Sequence, residues 1–350
     1  MTQLIIHDLL KSGIEKNASD VHLVVGRPPI FRIHGELFVS GGNPFSSEQL
    51  QDVLFSMINE KQKKKFLEIK ELDFAYSALS DFQFRVNLYM EKGSVAATIR
   101  IIPTKIKTML ELGLPPALDT FAKKKNGMII IAGTAGSGKS TTLNYMVNQI
   151  NNDRRCKIVT IEDPIEYIHH SKLSLIVQRE VGSDTETFAS ALKYTLRQDP
   201  DVVVIGEMRD LESISMAMTT AETGHLVITT VHAPDAVETI NRIIDVFPSS
   251  YREQICMQLA ENLVGVVGQI LIPQKDSIER VLATEVIVAS LPVRNIIRRG
   301  AITEIRGQMD AEADSGMHTF EKCLSGMVRR NIISVETAKA YSKNPHLLKY

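Results

Sequence analysis

Gly133-Thr134-Ala135-Gly136-Ser137-Gly138-Lys139-Ser140, with Thr141 behind it, is the stretch that decides the fold. It fits the pattern G-x-x-x-x-G-K-S. An apolar run, 128–132, precedes it with the length of a buried strand, and residues 141–150 follow with helical spacing. Glycines between a strand and a helix let the backbone curl until several N–H groups point inward. The helix N-terminus adds partial positive charge. Phosphate oxygens are the ligands that such a cradle suits. Residues 133–141 are therefore read as the phosphate loop of an ATP site. There Lys139 reaches the β- and γ-phosphates and the Ser140 hydroxyl holds Mg²⁺.

Downstream, short apolar runs alternate with helical patterns. Residues 157–161, 202–205 and 226–230 read as strands. Residues 185–198 read as a helix with Phe188, Leu192 and Leu196 on one face, and 210–223 as a helix stopped by Gly224. Uninterrupted Val/Ile strands separated by helices predict a mostly parallel sheet covered on both faces, an α/β fold. Beyond about residue 250 the pattern predicts mainly helix, through 317–330 and 334–341.

Two acidic groups end strands of this sheet. Ligands of open α/β sheets bind beyond the carboxyl ends of the strands. Gly206-Glu207 closes the run 202–205, which puts Glu207 beside the γ-phosphate to position water and hold the metal's water shell. Glu162-Asp163-Pro164-Ile165-Glu166 follows the strand 157–161, and Pro164 turns these acids toward the same edge. Glu162 and Glu166 are both candidates to hold the metal, partly through water. The residues alone leave open which of the two does so. His225 and His232 flank the strand 226–230 at opposite ends. His232 stands at the carboxyl end, placed to sense the γ-phosphate, and His225 takes a different role.

Upstream, residues 1–102 read as a small α+β domain. Leu4, Ile5, Leu9 and Leu10 suit one face of an opening helix. Apolar runs 21–25 and 30–33 flank the turn Gly26-Arg27-Pro28-Pro29. Residues 46–71 form a polar helical stretch whose Lys61, Lys63, Lys64 and Lys65 make a solvated face. Residues 73–76, 82–90 and 94–102 read as antiparallel strands, the last pair turning at Glu91-Lys92-Gly93. Residues 103–127 hold Pro103, Gly113, Pro115 and Pro116 and read as a linker. The ATPase domain is expected over 128–350.

A chain of 350 residues is expected to form about two domains. Lys+Arg of 40 against Asp+Glu of 41 gives a net charge of -1, so nothing in the overall charge calls for nucleic acid or a membrane surface. An apolar fraction of 44% with 23% charged residues excludes a disordered chain. Cys156, Cys256 and Cys323 are the three cysteines, with no C-x-x-C pair, which excludes a disulfide framework and a four-cysteine zinc site. No apolar run approaches 18 residues, and the first ten, with His7 and Asp8, do not read as a signal peptide. A cytoplasmic protein without direct membrane insertion is expected.

In this order the segments resemble the secretion and pilus motor ATPases, specifically the type IV pilus retraction ATPase family, PilT. The matching boxes are the loop ending Gly-Ser-Gly-Lys-Ser-Thr-Thr-Leu (136–143) and an aspartate box Thr-Ile-Glu-Asp-Pro-Ile-Glu-Tyr (160–167). Gly-Glu-Met-Arg-Asp (206–210) and a histidine box from Glu-Thr-Gly-His-Leu-Val (222–227) to His232 complete the set. Ser19-Asp20-Val21-His22-Leu23 and Arg85-Val86-Asn87 look like the family's N-terminal domain. The resemblance implies an N-terminal PAS-like α+β domain followed by a RecA-like P-loop ATPase domain with a helical C-terminal region. It implies a homo-hexamer that hydrolyses ATP with Mg²⁺ to drive pilus retraction and twitching motility. ATP would sit between the two domains, with Arg85 and Arg100 reaching its phosphates. The implied partner is the inner-membrane pilus platform protein with the rest of the pilus machinery, which would hold the motor at the inner face of the cell membrane. The family's retraction motif, Ala-Ile-Arg-Asn-Leu-Ile, corresponds here to Pro292-Val293-Arg294-Asn295-Ile296-Ile297. A pilus-assembly or type II secretion ATPase and an accessory retraction paralogue are the alternatives within the class. Extension motors usually carry a four-cysteine zinc module, which three cysteines cannot build. Outside the class stand a nucleotide-gated scaffold and a small-molecule kinase. The kinase reading leaves the aspartate and histidine boxes unexplained.

Overall fold

The computed structural model describes residues 2–33, 35–79, 82–103, 106–277 and 279–350, without the side chains of residues 2–4, 78 and 103. The side chain of Leu4 on the expected helix face, and Thr104 and Lys105 of the expected linker, thus lie outside what is described. The chain divides into two units, Met1–Lys105 with Pro164–Ile168, and Ile106–Asp163 with His169–Tyr350.

The first unit comprises α1 (Thr2–Glu15), β1 (Asp20–Leu23), β2 (Ile30–Ile33), β3 (Glu36–Val39), α2 (Ser47–Phe55), α3 (Glu60–Ile69), β4 (Glu71–Leu79), β5 (Phe82–Glu91) and β6 (Ser94–Pro103). Its sheet runs in the order β3-β2-β1-β6-β5-β4 and is antiparallel throughout the described residues. The polar stretch 46–71 is two helices, because two capping boxes start it twice. Ser46 accepts from the Gln49 N–H and Asn59 from the Gln62 N–H, and each glutamine side chain accepts in return from the cap backbone. Lys92 and Gly93 both adopt positive φ, 49° and 78°, which gives the two-residue turn that suits the twist of the β5–β6 hairpin. Phe31, Phe66 and Phe84 are fully buried in the core of this unit.

The second unit opens with two short helices, α4 (Met109–Leu112) and α5 (Ala117–Ala122), and Leu118 and Phe121 of α5 are buried in its core. There follow β7 (Gly127–Ala132), α6 (Lys139–Asp153), β8 (Lys157–Glu162), β9 (Leu175–Glu180), α7 (Phe188–Thr195), β10 (Val202–Ile205), α8 (Leu211–Glu222), β11 (Leu226–Val231), α9 (Ala236–Asp245) and α10 (Arg252–Asn262). Then come β12 (Leu263–Pro273), β13 (Arg280–Val288) and α11 (Leu291–Arg298), before further short helices. The sheet runs β13-β12-β7-β11-β10-β8-β9, and β13 is the antiparallel strand. The period of two sorts each strand between two helix layers. On β7, Met128, Ile130 and Ala132 join one core with α8, α9 and α10, while Ile129 and Ile131 join the other with α5 and α6. That division explains why the strand sequences are apolar without alternation.

The region beyond residue 250 departs from the expected helical run, because β12 and β13 add a long hairpin to the sheet. Gly265 and Gly268 weaken the strand signal there, and packing requires both. A Cβ on Gly265 would stand 2.3 Å from the Phe121 ring, and one on Gly268 3.0 Å from the Ala236 nitrogen.

Candidate active site

Residues 133–138 link β7 to α6, with Gly136 and Gly138 at φ of 73° and 88°. Gly133 admits no side chain, since a Cβ there would lie 2.3 Å from Ser137 Oγ and 2.6 Å from the Gln269 carbonyl. The buried Lys139 donates from Nζ to the Gly133 and Thr134 carbonyls at 3.0 and 2.9 Å, so its ammonium lies within the curl of the loop. Ser140 and Thr141 follow Lys139 in the first turn of α6, and the described N-terminus of that helix has no side-chain cap. Gln269 of β12 braces the loop. It donates to the Ser137 carbonyl at 2.9 Å and accepts from Thr142 Oγ1 at 3.0 Å. Nothing in the local sequence pattern marks Gln269 as part of the site. A buried polar residue in an otherwise apolar strand is the signal that could have found it.

Glu207 follows β10 at its carboxyl end, with the side chain 12% exposed. Arg209 forms an ion pair with it, and His232 Nε2 stands 3.5 Å from its Oε2. The neighbouring turn is tied down, for the Met208 N–H donates to the Thr230 carbonyl and Thr230 Oγ1 to the Gly206 carbonyl. Burial, followed by the positive charge of Lys139, lowers the pKa of His232 against the pull of Glu207, which favours a neutral ring. Arg242 of α9 donates to the His232 carbonyl. Lys139, Glu207 and His232 thus converge at one edge of the sheet.

Glu162 ends β8, hydrogen-bonded in register beside β10, and is buried. Its Oε1 accepts from Thr160 Oγ1 at 2.7 Å and from Gln178 Nε2 at 3.0 Å. Glu166 belongs to Pro164–Ile168, in the first unit, where Arg85 lies 4.0 Å from its carboxylate. Arg100, also in the first unit, donates from Nε to Asp20 at 3.0 Å. His225 stands at the amino end of β11, away from the Glu207 edge, and its Nδ1 bonds the Thr220 carbonyl at 3.1 Å. Among the residues named from sequence, the structure gathers the loop 133–141, Glu162, Glu207 and His232, and does not bring His225 to them.

The residues fit a Mg²⁺–nucleotide. The buried Ser137 Oγ has no hydrogen-bond partner among the described residues, and the Gly133 position is closed to any side chain. Mg²⁺ takes one or two protein oxygens and completes its shell with phosphate and water, which suits the Ser140 hydroxyl of α6 and the Glu162 carboxylate at the end of β8 as candidate ligands.

Behind the His232 loop lies a buried charge cluster. Asp235 caps α9 and accepts from Arg306 at 2.8 Å and from Lys343 at 2.5 Å. Burial opposes its charge, but these bonds and the Arg306 charge outweigh burial and lower its pKa. Glu285, fully buried on β13, accepts from the Ala236 N–H at 2.7 Å. Burial, then the charge of Asp235, push its pKa up to about 7 from about 4.5. A carboxyl raised in the folded state keeps its proton while the unfolded chain loses it. Its contribution to stability therefore falls as pH rises from 4.5 to 7 and is flat above. Glu285→Gln removes that loss. Its stability relative to the natural protein should grow by about 3 kcal/mol between pH 4.5 and pH 8. Denaturant unfolding of both proteins at the two pH values checks this, and parallel profiles would contradict it.

Comparison with known proteins follows the same lines. The family model described as Type II/IV secretion system protein matches residues 1–293. The type IV pilus retraction ATPase PilT of Pseudomonas aeruginosa is 39% identical over 340 residues, covering 97% of this chain and 98% of the relative. The type IV pilus ATPase PilU of the same organism is 38% identical over 341 residues, covering 97% and 89%. A crystal structure of the pilus retraction motor PilT with bound ADP superposes with a TM-score of 0.91 at 38% identity, over 97% of this chain and 98% of that one.

Proposed function

The chain belongs to the Type II/IV secretion system protein family, and from that premise we propose that it is an ATP-hydrolysing motor of type IV pilus retraction. The observation that carries the proposal is the convergence of Lys139, Glu207 and His232 at the carboxyl edge of the sheet. Residues 133–141 bind the phosphates, and Ser140 with Glu162 holds Mg²⁺, partly through water. Bound Mg²⁺ neutralises phosphate charge. Glu207 orients the attacking water and takes its proton, while the neutral His232 beside it faces the γ-phosphate. The working form in this proposal is a homo-hexamer in the cytoplasm, peripheral to the inner face of the membrane through the pilus platform protein. No described helix is long and apolar enough to cross a membrane.

ADP formation from ATP, with and without small-molecule acceptors, tests the chemistry, and turnover that requires an acceptor and releases no free phosphate would favour a kinase instead. Restoration of twitching in a strain lacking its retraction ATPase tests the biological reading. Failure to restore it, from a protein that hydrolyses ATP, would favour an accessory paralogue or an assembly motor.

Arg85 and Arg100 enter this proposal as phosphate contacts of the working enzyme, because a guanidinium binds phosphate oxygens in pairs and stays charged. Arg100 is largely exposed, and its buried partner Asp20 keeps the Ser19 hydroxyl as a donor at 2.8 Å when the arginine is removed. Alanine at either position should therefore leave the melting temperature of the nucleotide-free protein almost unchanged, while turnover falls at least about tenfold. Full turnover in both variants would remove the arginines from the site.

A further inference from the structure

Four hydrogen bonds join the start of α6 to the end of β8. Asn144 Nδ2 donates to the Ser140 carbonyl at 2.8 Å. That bond fixes the amide so that Asn144 Oδ1 faces His169 Nε2, 2.6 Å away. An amide oxygen only accepts, so His169 carries its proton on Nε2 and donates. The backbone N–H of His169 donates to Gln178 Oε1 at 2.7 Å, which turns the other end of that amide toward Glu162. Gln178 Nε2 then donates to Glu162 Oε1 at 3.0 Å. Two directed segments, Ser140–Asn144–His169 ring and His169 backbone–Gln178–Glu162, meet at His169 and run from one candidate metal ligand to the other.

We infer that Asn144, His169 and Gln178 are positioning residues, a hydrogen-bonded strap that sets Ser140 and Glu162 in the geometry a Mg²⁺–nucleotide requires. This rests on the ATPase reading above. Burial supports it. Asn144 and His169 are 2% and 9% exposed, so water does not compete for their bonds. Burial, with His170 and Lys172 adding to it, lowers the His169 pKa to about 4, and the ring stays neutral with its proton in place at ordinary pH. Glu162 Oε1 receives Thr160 Oγ1 as well as Gln178, and two donors on one oxygen fix the rotamer of the carboxylate. Partners that orient ligands in this way typically affect metal affinity by about 10–100-fold. None of the three residues touches the phosphates in this scheme, so the strap acts on the metal and not on nucleotide binding by the loop.

The experiment is a Mg²⁺ titration of fluorescent ATP-analogue binding to the full chain. Gln178→Met keeps length and removes the donor at a half-buried site. It should raise the Mg²⁺ concentration at half-saturation by about tenfold. Binding of the analogue in excess chelator should match the natural protein, and the melting temperature should stay within about 2 °C. Because Gln178 acts through Glu162, adding Gln178→Met to Glu162→Gln should change the midpoint less than about twofold. Asn144→Ala cuts the strap at its other end and should shift the midpoint in the same direction. A folded Gln178→Met protein with the natural midpoint overturns the inference, as does a full additional shift in the Glu162→Gln background. Binding that is equal with and without Mg²⁺ in the natural protein would overturn it while leaving the phosphate loop intact. No binding at all would overturn the ATPase reading itself.

Discussion

Glu207→Gln should bind ATP with nearly unchanged affinity and turn it over at least about 100-fold more slowly. The carboxylate sits at the strand end, little exposed, with Arg209 on one oxygen and the His232 ring beside the other. Glutamine has the same shape and keeps an oxygen for Arg209, so the pocket keeps its form. It loses the negative charge that, in the proposed mechanism, orients and deprotonates a water. The phosphate loop, which supplies the binding energy, is untouched. His232 cannot readily substitute as base, because burial, followed by the charge of Lys139, sets its proton affinity low. Calorimetric titration with ATP and a phosphate-release assay on the same preparation give the two numbers. Near-natural turnover would shift the role to Glu162. The variants are separable, since Glu162→Gln should first raise the Mg²⁺ requirement, whereas Glu207→Gln should not.

The readable part of this site is the part encoded by neighbours in sequence. A strand, a glycine loop and a helix within 30 residues declare the phosphate cradle, and Glu162 and Glu207 declare themselves by closing apolar strands. The supports were not legible in the same way. Gln269, 132 residues from Ser137, lies in a strand whose glycines disguise it. Asn144 and His169 are 25 residues apart and meet only because α6 and the chain after β8 pack together. β3 escaped because Glu36–Val39 is exposed along its length, so no alternation of polar and apolar residues marks it. The motif at 292–297 was legible as a pattern but not as a structure. The Arg294 guanidinium donates to the Ala289, Ala260, Glu261 and Leu263 carbonyls, satisfying the carboxyl end of α10 and locking it to α11. Such pairings depend on tertiary contact, and sequence periodicity does not report them.

Lys139→Ala should abolish tight ATP binding. The ammonium lies within the loop, Nζ 3.0 Å from the Gly133 carbonyl and 2.9 Å from that of Thr134, one in the buried floor and one at the exposed rim. A positive charge held there meets the β- and γ-phosphates of a nucleotide lying on the loop. A hydrogen bond to a charged group contributes about 1.5–3 kcal/mol, so two such contacts account for about 3–6 kcal/mol. Every 1.4 kcal/mol is tenfold in affinity, so the dissociation constant should rise at least about 100-fold. The loss should be smaller for AMP, which lacks both phosphates that the lysine serves. That contrast distinguishes a lost charge from a collapsed loop, because collapse would weaken both nucleotides alike. Gln269 and Thr142 hold the loop from the β12 side and do not depend on Lys139, so the curl should persist without it. Equal ATP affinities for the natural protein and the variant in calorimetry would reduce residues 133–140 to a glycine turn, and the ATPase reading would fall with them.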